Sequence, residues 1–86
     1  MRLEWMVHAR QRLDERGISE SLVQKTVREP QQVIGHGAHR IFQTRFVDSK
    51  RKKEYLVRVF AEVRRDAVVI RSVYRTSKVH KYWRPE

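Results

Sequence analysis

Three basic side chains near the start of the chain, His8, Arg12 and Arg16, follow one another at intervals of four residues. In a helix this spacing places them along one row of the surface. Guanidinium groups bind a phosphate through two parallel hydrogen bonds, and an imidazole exchanges protons near neutral pH. The row therefore carries the groups needed to cleave a phosphodiester bond. The alternative is a solvated, salt-bridged helix face, because Asp14 and Glu15 are interleaved with the basic residues.

A second group of basic and aromatic residues is expected on the last two strands. Pairing Val63 with Val68 predicts a sheet face that alternates arginines with apolar and aromatic residues, among them Arg58, Phe60, Arg71 and Arg75. Tyr74 falls on the opposite face in this register. Arginines beside an aromatic ring can hold a nucleic-acid backbone and stack a base. The alternative is an outer sheet face that is solvated by long charged side chains.

A run of four basic residues lies between two strand patterns and is too polar to bury; it consists of Lys50, Arg51, Lys52 and Lys53. The run predicts a hairpin loop. Its functional interpretation is non-specific contact with phosphates, and its structural interpretation is a solvated turn.

The overall charge favours an anionic partner. Twenty Lys and Arg residues against ten Asp and Glu residues give a formal net charge of +10. Such a charge attracts polyanions and acidic proteins. Thirteen of the basic residues and five of the acidic ones lie in residues 44–86, so the second half holds the more basic surface.

Several kinds of site are excluded by composition and motif. The chain has no cysteine, so a disulfide framework, a thiolate nucleophile and a thiolate metal site are impossible. His36 and His39 have no carboxylate at metal-ligand spacing, and we expect no metal and no cofactor. No stretch is long and apolar enough for a secretory signal or a membrane span, so we expect a cytoplasmic protein without membrane contact.

The pattern along the chain predicts an α+β fold in one domain over residues 1–86. Apolar spacing predicts a first helix over 5–16, ended by Gly17, and a second helix that is capped by Ser19 and ended by Pro30. Strand patterns follow, at 33–34, 39–47, 55–63 and 67–75. We therefore expect two N-terminal helices packed on a three- to four-stranded antiparallel sheet, with a short helical turn over 78–83.

The motifs HARQRLDERGIS at 8–19, KEYLVRV at 53–59 and VYRTSKVHKYW at 73–83 resemble a known family. Its members are small bacterial and archaeal proteins of unknown function, grouped with the BrnT and RelE-like toxin ribonucleases. The resemblance implies a RelE/BrnT-like fold, an RNA substrate that can be ribosome-associated, and an acidic antitoxin as partner. It also matches His8, Arg12 and Arg16 to the family's first-helix signature, and Tyr74 and Lys78 to its last-strand signature.

The leading hypothesis is a metal-independent endoribonuclease that acts as the toxin of a toxin–antitoxin pair. Such an enzyme uses the 2′-hydroxyl of RNA as nucleophile and needs a base, an acid and a cation from the protein. His8 is then the acid or base, Arg12 and Arg16 bind phosphate, Arg71 or Arg75 stabilises the transition state, and Tyr74 transfers or positions a proton.

Two other hypotheses stay open at this point. One is a non-catalytic basic adaptor that binds nucleic acid or an acidic protein across the arginine-bearing sheet face; Lys78 belongs, with the hairpin lysines, to its candidate nucleic-acid contacts. The other is a structural role, in which the histidine and arginines tie the first helix to the sheet.

Overall fold

The structure of the protein is a computed structural model that describes residues 2–85. Its elements, in chain order, are β1 (Arg2–Trp5), α1 (Val7–Arg16), α2 (Glu20–Arg28), β2 (Gln32–Ile34), β3 (His39–Asp48), β4 (Lys53–Val63), β5 (Ala67–Thr76) and α3 (Val79–Tyr82). The strands form one sheet in the order β1-β5-β4-β3-β2. The fold is α+β, as predicted: two N-terminal helices pack on a mixed five-stranded sheet, and a short helix ends the described chain.

The sheet has one strand more than predicted, and it is not purely antiparallel. Residues Arg2–Trp5 form β1, which runs parallel to β5 and pairs Leu3 with Val68. The prediction of three to four antiparallel strands was wrong in this respect. Four residues are too short for an alternating pattern to stand out, and the apolar Trp5 fits the helical spacing of the next residues equally well.

Both N-terminal helices begin and end near the residues that the sequence indicates. Gly17 ends α1 in the left-handed region, at φ 62°, and its N–H and that of Ile18 bond to carbonyl oxygens of the last turn. Ser19 caps α2 by accepting a hydrogen bond from the N–H of Leu22 at 3.2 Å. The apolar faces of the two helices then cover one face of the sheet, where the core includes Leu13, Val23, Val57, Val59, Ile70 and Val73.

A β-bulge in β5 decides which side chains lie on which face of the sheet. The predicted pairing holds for Val63 with Val68 and for Ala61 with Ile70, but the register shifts by one residue at Arg71. Every side chain after the extra residue therefore moves to the other face. The predicted faces of Tyr74 and Arg75 were wrong for this reason: Tyr74 lies opposite Arg58, away from the helices, and Arg75 lies on the helix-covered face.

The basic hairpin loop between β3 and β4 is confirmed. Oδ1 of Asp48 accepts hydrogen bonds from the N–H groups of Lys50 at 2.9 Å and Arg51 at 3.2 Å. Lys52 takes a positive φ of 51° to close the turn. Within residues 2–85, no helix has the length and apolar character needed to cross a membrane.

Candidate functional site

A groove of about 670 Å³ opens on the sheet face that α1 and α2 leave free. Its lining includes one histidine, one tyrosine and two arginines: His39, Tyr74, Arg40 and Arg71. Phe60 and Ser72, which are cross-strand partners, also line it. We call this feature the sheet groove; it combines proton-transfer groups, a cation and an aromatic surface.

A tight turn positions His39. The residue begins β3, directly opposite Glu62 of β4. Gly35, just before the turn, has φ +89°, and a Cβ atom built there lies 2.8 Å from the carbonyl oxygen of His39. Only glycine fits this close approach without a shift of the backbone. The turn therefore holds His39 at the rim of the groove.

The bulge positions Arg71. As the extra residue of β5 it joins Ser72 in the groove lining, and its side chain is 48% exposed. Glu62 lies beneath it, with Oε2 4.0 Å from Nη1 of Arg71 and Oε1 3.1 Å from Nε of Arg64. The hydrogen bond from Arg64, helped by the charges of His39 and Arg71, holds the pKa of Glu62 below its usual range. One carboxylate thus faces two arginines, and the rim stays cationic at neutral pH.

A buried arginine stands behind the groove. Arg58 is 7% exposed; its Nε donates to Oε1 of Gln43 at 3.0 Å and its Nη1 donates to the hydroxyl of Tyr74 at 2.7 Å. The guanidinium carbon lies 4.3 Å from the ring centre of Tyr82, 5.3 Å from that of Phe60 and 5.7 Å from that of Tyr74. Three aromatic rings and two neutral oxygens therefore surround this cation.

No carboxylate forms an ion pair with Arg58 in the part of the chain that the structure describes. Buried charges are normally paired, because taking them out of water is costly. The uncompensated charge of Arg58 makes the neighbouring Tyr74 and the groove a favourable place for negative charge.

Tyr74 keeps its proton at neutral pH. Burial raises its pKa above the usual value and the neighbouring phenol of Tyr82 acts in the same direction, whereas the hydrogen bond from Arg58 lowers it. The proximity of Tyr74 in turn lowers the pKa of Tyr82. The structure thus places Arg58 between Tyr74, which accepts its hydrogen bond, and Tyr82, whose ring packs edge-on against that of Tyr74 at 6.1 Å between centroids.

The six residues that the sequence suggested for catalysis are not brought together. Arg71 and Tyr74 line the sheet groove. His8 and Arg12 are exposed on α1, which packs on the opposite face. Arg16 donates a hydrogen bond to the carbonyl oxygen of Val73.

Arg75 lies with α1 on the helix-covered face. Its Nη1 lies 3.5 Å from the carbonyl oxygen of Gly17, and its guanidinium carbon lies 4.8 Å from the ring centre of Tyr55. The thickness of the sheet therefore separates the two halves of the suggested set.

The residues suggested for nucleic-acid binding are divided as well. Phe60 lines the groove, while Arg58 is buried behind it and reaches the groove through Tyr74. Lys50, Arg51, Lys52 and Lys53 are exposed in and beside the hairpin loop, and Lys78 is exposed just before α3.

Sequence reasoning missed His39 and Gln43 as parts of this face. The signal is the alternation in His39–Asp48, because residues 39, 41 and 43 of a strand point to one side. No group of three or more His, Cys, Asp or Glu residues within residues 2–85 is placed to hold a metal ion.

Comparison with known proteins identifies a family. Residues 5–75 match the family described as a domain of unknown function (DUF4258). The chain belongs to DUF4258. Neither a curated protein nor a solved structure matches it. The matched range contains the whole sheet groove and Arg58, whereas α3, with Tyr82, follows the DUF4258 match.

Proposed function

We propose that this DUF4258 protein is a metal-independent endoribonuclease related to the BrnT and RelE-like toxins. The observation that carries the proposal is that His39, Arg71 and Tyr74 line one groove, backed by the buried cation of Arg58. These groups are a base, a phosphate ligand and an acid, which is the set that cleavage of RNA by its own 2′-hydroxyl requires. The α+β fold, with two N-terminal helices on a sheet, also agrees with this kinship.

The proposed reaction begins at His39, whose imidazole takes the proton of the 2′-hydroxyl while O2′ attacks the phosphorus. Arg71 binds the non-bridging oxygens, which gain negative charge as the phosphorane forms. Tyr74 gives its phenolic proton to the departing 5′ oxygen, so the P–O5′ bond breaks. The products are a 2′,3′-cyclic phosphate and a 5′-hydroxyl end.

Arg58 and Phe60 support this reaction. A phenol with a raised pKa holds its proton until the leaving group needs it, and the phenolate that remains is stabilised by Nη1 of Arg58 at 2.7 Å. Phe60 offers a ring on which a base can stack. The net charge of +10 draws RNA to the protein.

The proposal includes an acidic antitoxin that inhibits the toxin by covering the cationic rim at Arg71 and Arg64. Complementary charge favours such a partner, because acidic side chains can replace the phosphates that the rim attracts.

The test is cleavage of end-labelled RNA by the purified chain in the presence of a metal chelator, with naked RNA and ribosome-bound messenger as parallel substrates. We expect cleavage that leaves cyclic phosphate ends, and a loss on the order of 10²–10³-fold in rate for His39→Ala, Arg71→Gln and Tyr74→Phe. His8→Ala is the control variant: His8 lies on α1, on the face of the sheet opposite the groove, so its replacement should leave the cleavage rate unchanged.

Three outcomes contradict the proposal. Loss of cleavage in His8→Ala, with full activity in His39→Ala, moves the site to α1. RNA that is retarded intact, with a steep dependence on salt, indicates the non-catalytic adaptor. Cleavage that the chelator abolishes excludes the metal-independent mechanism.

A further inference from the structure

Three arginines outside the lining of the sheet groove contact Tyr55 or the backbone of the neighbouring part of β5. Arg75 lies over the ring of Tyr55, at 4.8 Å from its guanidinium carbon to the ring centre. Nη1 of Arg51 lies 3.4 Å from the hydroxyl of the same tyrosine. Arg16 binds the carbonyl oxygen of Val73, two residues before Arg75 on β5. We call these three residues, Arg16, Arg51 and Arg75, the arginine cluster.

The cluster is not neutralised. Within residues 2–85, no ion pair includes any of its three arginines. The carboxylate of Asp48 lies close enough to interact electrostatically with both Arg51 and Arg75. Its pKa is lowered mainly by the backbone hydrogen bond from Arg51, and further by the charges of the two arginines. Oδ1 of Asp48 is already engaged by two N–H groups of the hairpin loop. The adjacent lysines of that loop, at positions 50, 52 and 53, add further positive charge.

The arginines also keep donors to offer. A guanidinium carries five N–H donors in a planar fork. Arg51 and Arg75 each engage a neutral oxygen through one long contact, at 3.4 Å and 3.5 Å. Among the residues that the structure describes, most of their N–H groups have no hydrogen-bond partner and can bind an anionic ligand with several acceptor oxygens, such as a phosphate group.

The position of the cluster relates it to the groove. Arg71 of the groove and Arg75 of the cluster lie four residues apart on β5, roughly 13 Å along the strand. Pairing of β5 with β1 ends at Ile70, so the edge of β5 from Arg71 onward lies beyond β1. Arg16 reaches the Val73 carbonyl in this same segment. The edge of β5 thus offers a cationic path from the groove to the helix side.

We propose that the arginine cluster is a second phosphate site, which binds the RNA backbone several nucleotides away from the bond that is cleaved. The inference rests on the proposed RNA substrate. It adds that the chain binds an RNA strand that wraps the edge of β5 more tightly than a short oligonucleotide that occupies the groove alone.

The experiment measures binding of labelled 2′-O-methyl RNA, which lacks the nucleophile and cannot be cleaved. A strand long enough to span both sites is compared with a dinucleotide, across a salt series. For Arg51→Gln, a change in an exposed loop, we expect about tenfold weaker binding of the long strand, a salt slope smaller by about one, and a lower ratio of long-strand to dinucleotide affinity. Arg75→Gln should act in the same direction.

Arg28→Gln is the matched control, because it removes the same charge from an exposed position at the end of α2. An equal loss in Arg28→Gln, or an unchanged affinity ratio in Arg51→Gln, overturns the inference. Binding of polyglutamate that depends on Arg51, with no effect of Arg51→Gln on RNA affinity, assigns the cluster to an acidic protein and also overturns it. If Arg51→Gln weakens RNA binding as expected but the parent does not cleave RNA, the second phosphate site is supported and the proposed ribonuclease activity is refuted.

Discussion

Nη1 of Arg58 lies 2.7 Å from the hydroxyl of Tyr74, and this hydrogen bond connects a buried cation with the sheet groove. The arginine contacts the groove through the tyrosine, whose proton it influences. Because Arg58 acts through Tyr74, its effect can be tested separately from those of the groups that would contact RNA.

Arg58→Met should separate stability from activity. The apolar side chain removes the cost of burying a charge but leaves the buried Oε1 of Gln43 without its donor, so we expect the free energy of unfolding to fall by about 1–3 kcal/mol. Loss of the bond to Tyr74 should raise the pKa of that phenol further and slow RNA cleavage by about 10²-fold. Urea unfolding, tyrosine absorbance across alkaline pH and a cleavage assay measure the three effects.

Arg58→Lys is the charge-preserving comparison for this prediction. A lysine keeps the positive charge but cannot donate to Gln43 and Tyr74 from one rigid fork. Full activity in Arg58→Met would show that the Arg58–Tyr74 bond plays no part in cleavage.

Gly35→Ala should destabilise the fold more than Gly37→Ala. Both glycines have positive φ, +89° and +75°, so alanine is strained at either position, at a cost of about 1–2 kcal/mol. At Gly35 the new methyl group also meets the carbonyl oxygen of His39 at 2.8 Å, whereas at Gly37 no atom of the described residues lies within 4 Å. We expect a total cost on the order of 3 kcal/mol at Gly35.

Thermal unfolding of the two variants checks this prediction, because each kcal/mol lowers the Tm of a domain of this size by about 4–8 °C. Equal Tm values for the two alanine variants would show that the close approach to His39 does not constrain the turn.

The Asp48 carboxylate should make the hairpin loop sensitive to acid. Hydrogen bonding to the N–H of Arg51 lowers its pKa from the ordinary value of 3.8. A group with a lowered folded pKa contributes stability above its unfolded pKa, and this contribution is lost as the pH falls through the folded value. As the pH is lowered through 3.8 and beyond, the Tm of the parent should therefore decrease more than the Tm of Asp48→Asn.

Asp48→Asn suits the comparison because an amide oxygen can accept the same two backbone hydrogen bonds without titrating. Parallel Tm curves for the parent and for Asp48→Asn between neutral pH and pH 2 would contradict the role given to this carboxylate.

The sequence predicts those parts of the fold that depend on local chemistry. Gly17 and Ser19 mark the helix ends because their backbone and side-chain preferences act over a single turn. β1 escapes detection because its pairing with β5 is a contact between distant parts of the chain. The bulge at Arg71 has no local signature in the sequence, so residues beyond it were expected on the wrong face.

The candidate site is harder to predict for the same reason. An arginine in a strand is typical of a solvent-exposed position, but Arg58 is buried among residues that include Tyr82, which lies 24 positions later in the chain. From the sequence, His39 was considered only as a metal ligand, and the absence of a carboxylate at ligand spacing argued against that role. The groove places it beside Arg71 and Tyr74 through the turn at Gly35 and the bulge, two backbone features that no composition reveals.

The bulge has a consequence for comparing DUF4258 proteins with one another. A relative with one residue fewer in β5 would keep the strand and its apolar alternation before position 71, but, aligned without a gap, its residue in the Tyr74 column would lie opposite position 57, where this chain has Arg75. An alignment that closes such a gap in the wrong place would equate a phenol with a guanidinium. Within this family, the length of one strand is therefore as informative about chemistry as the identity of its residues.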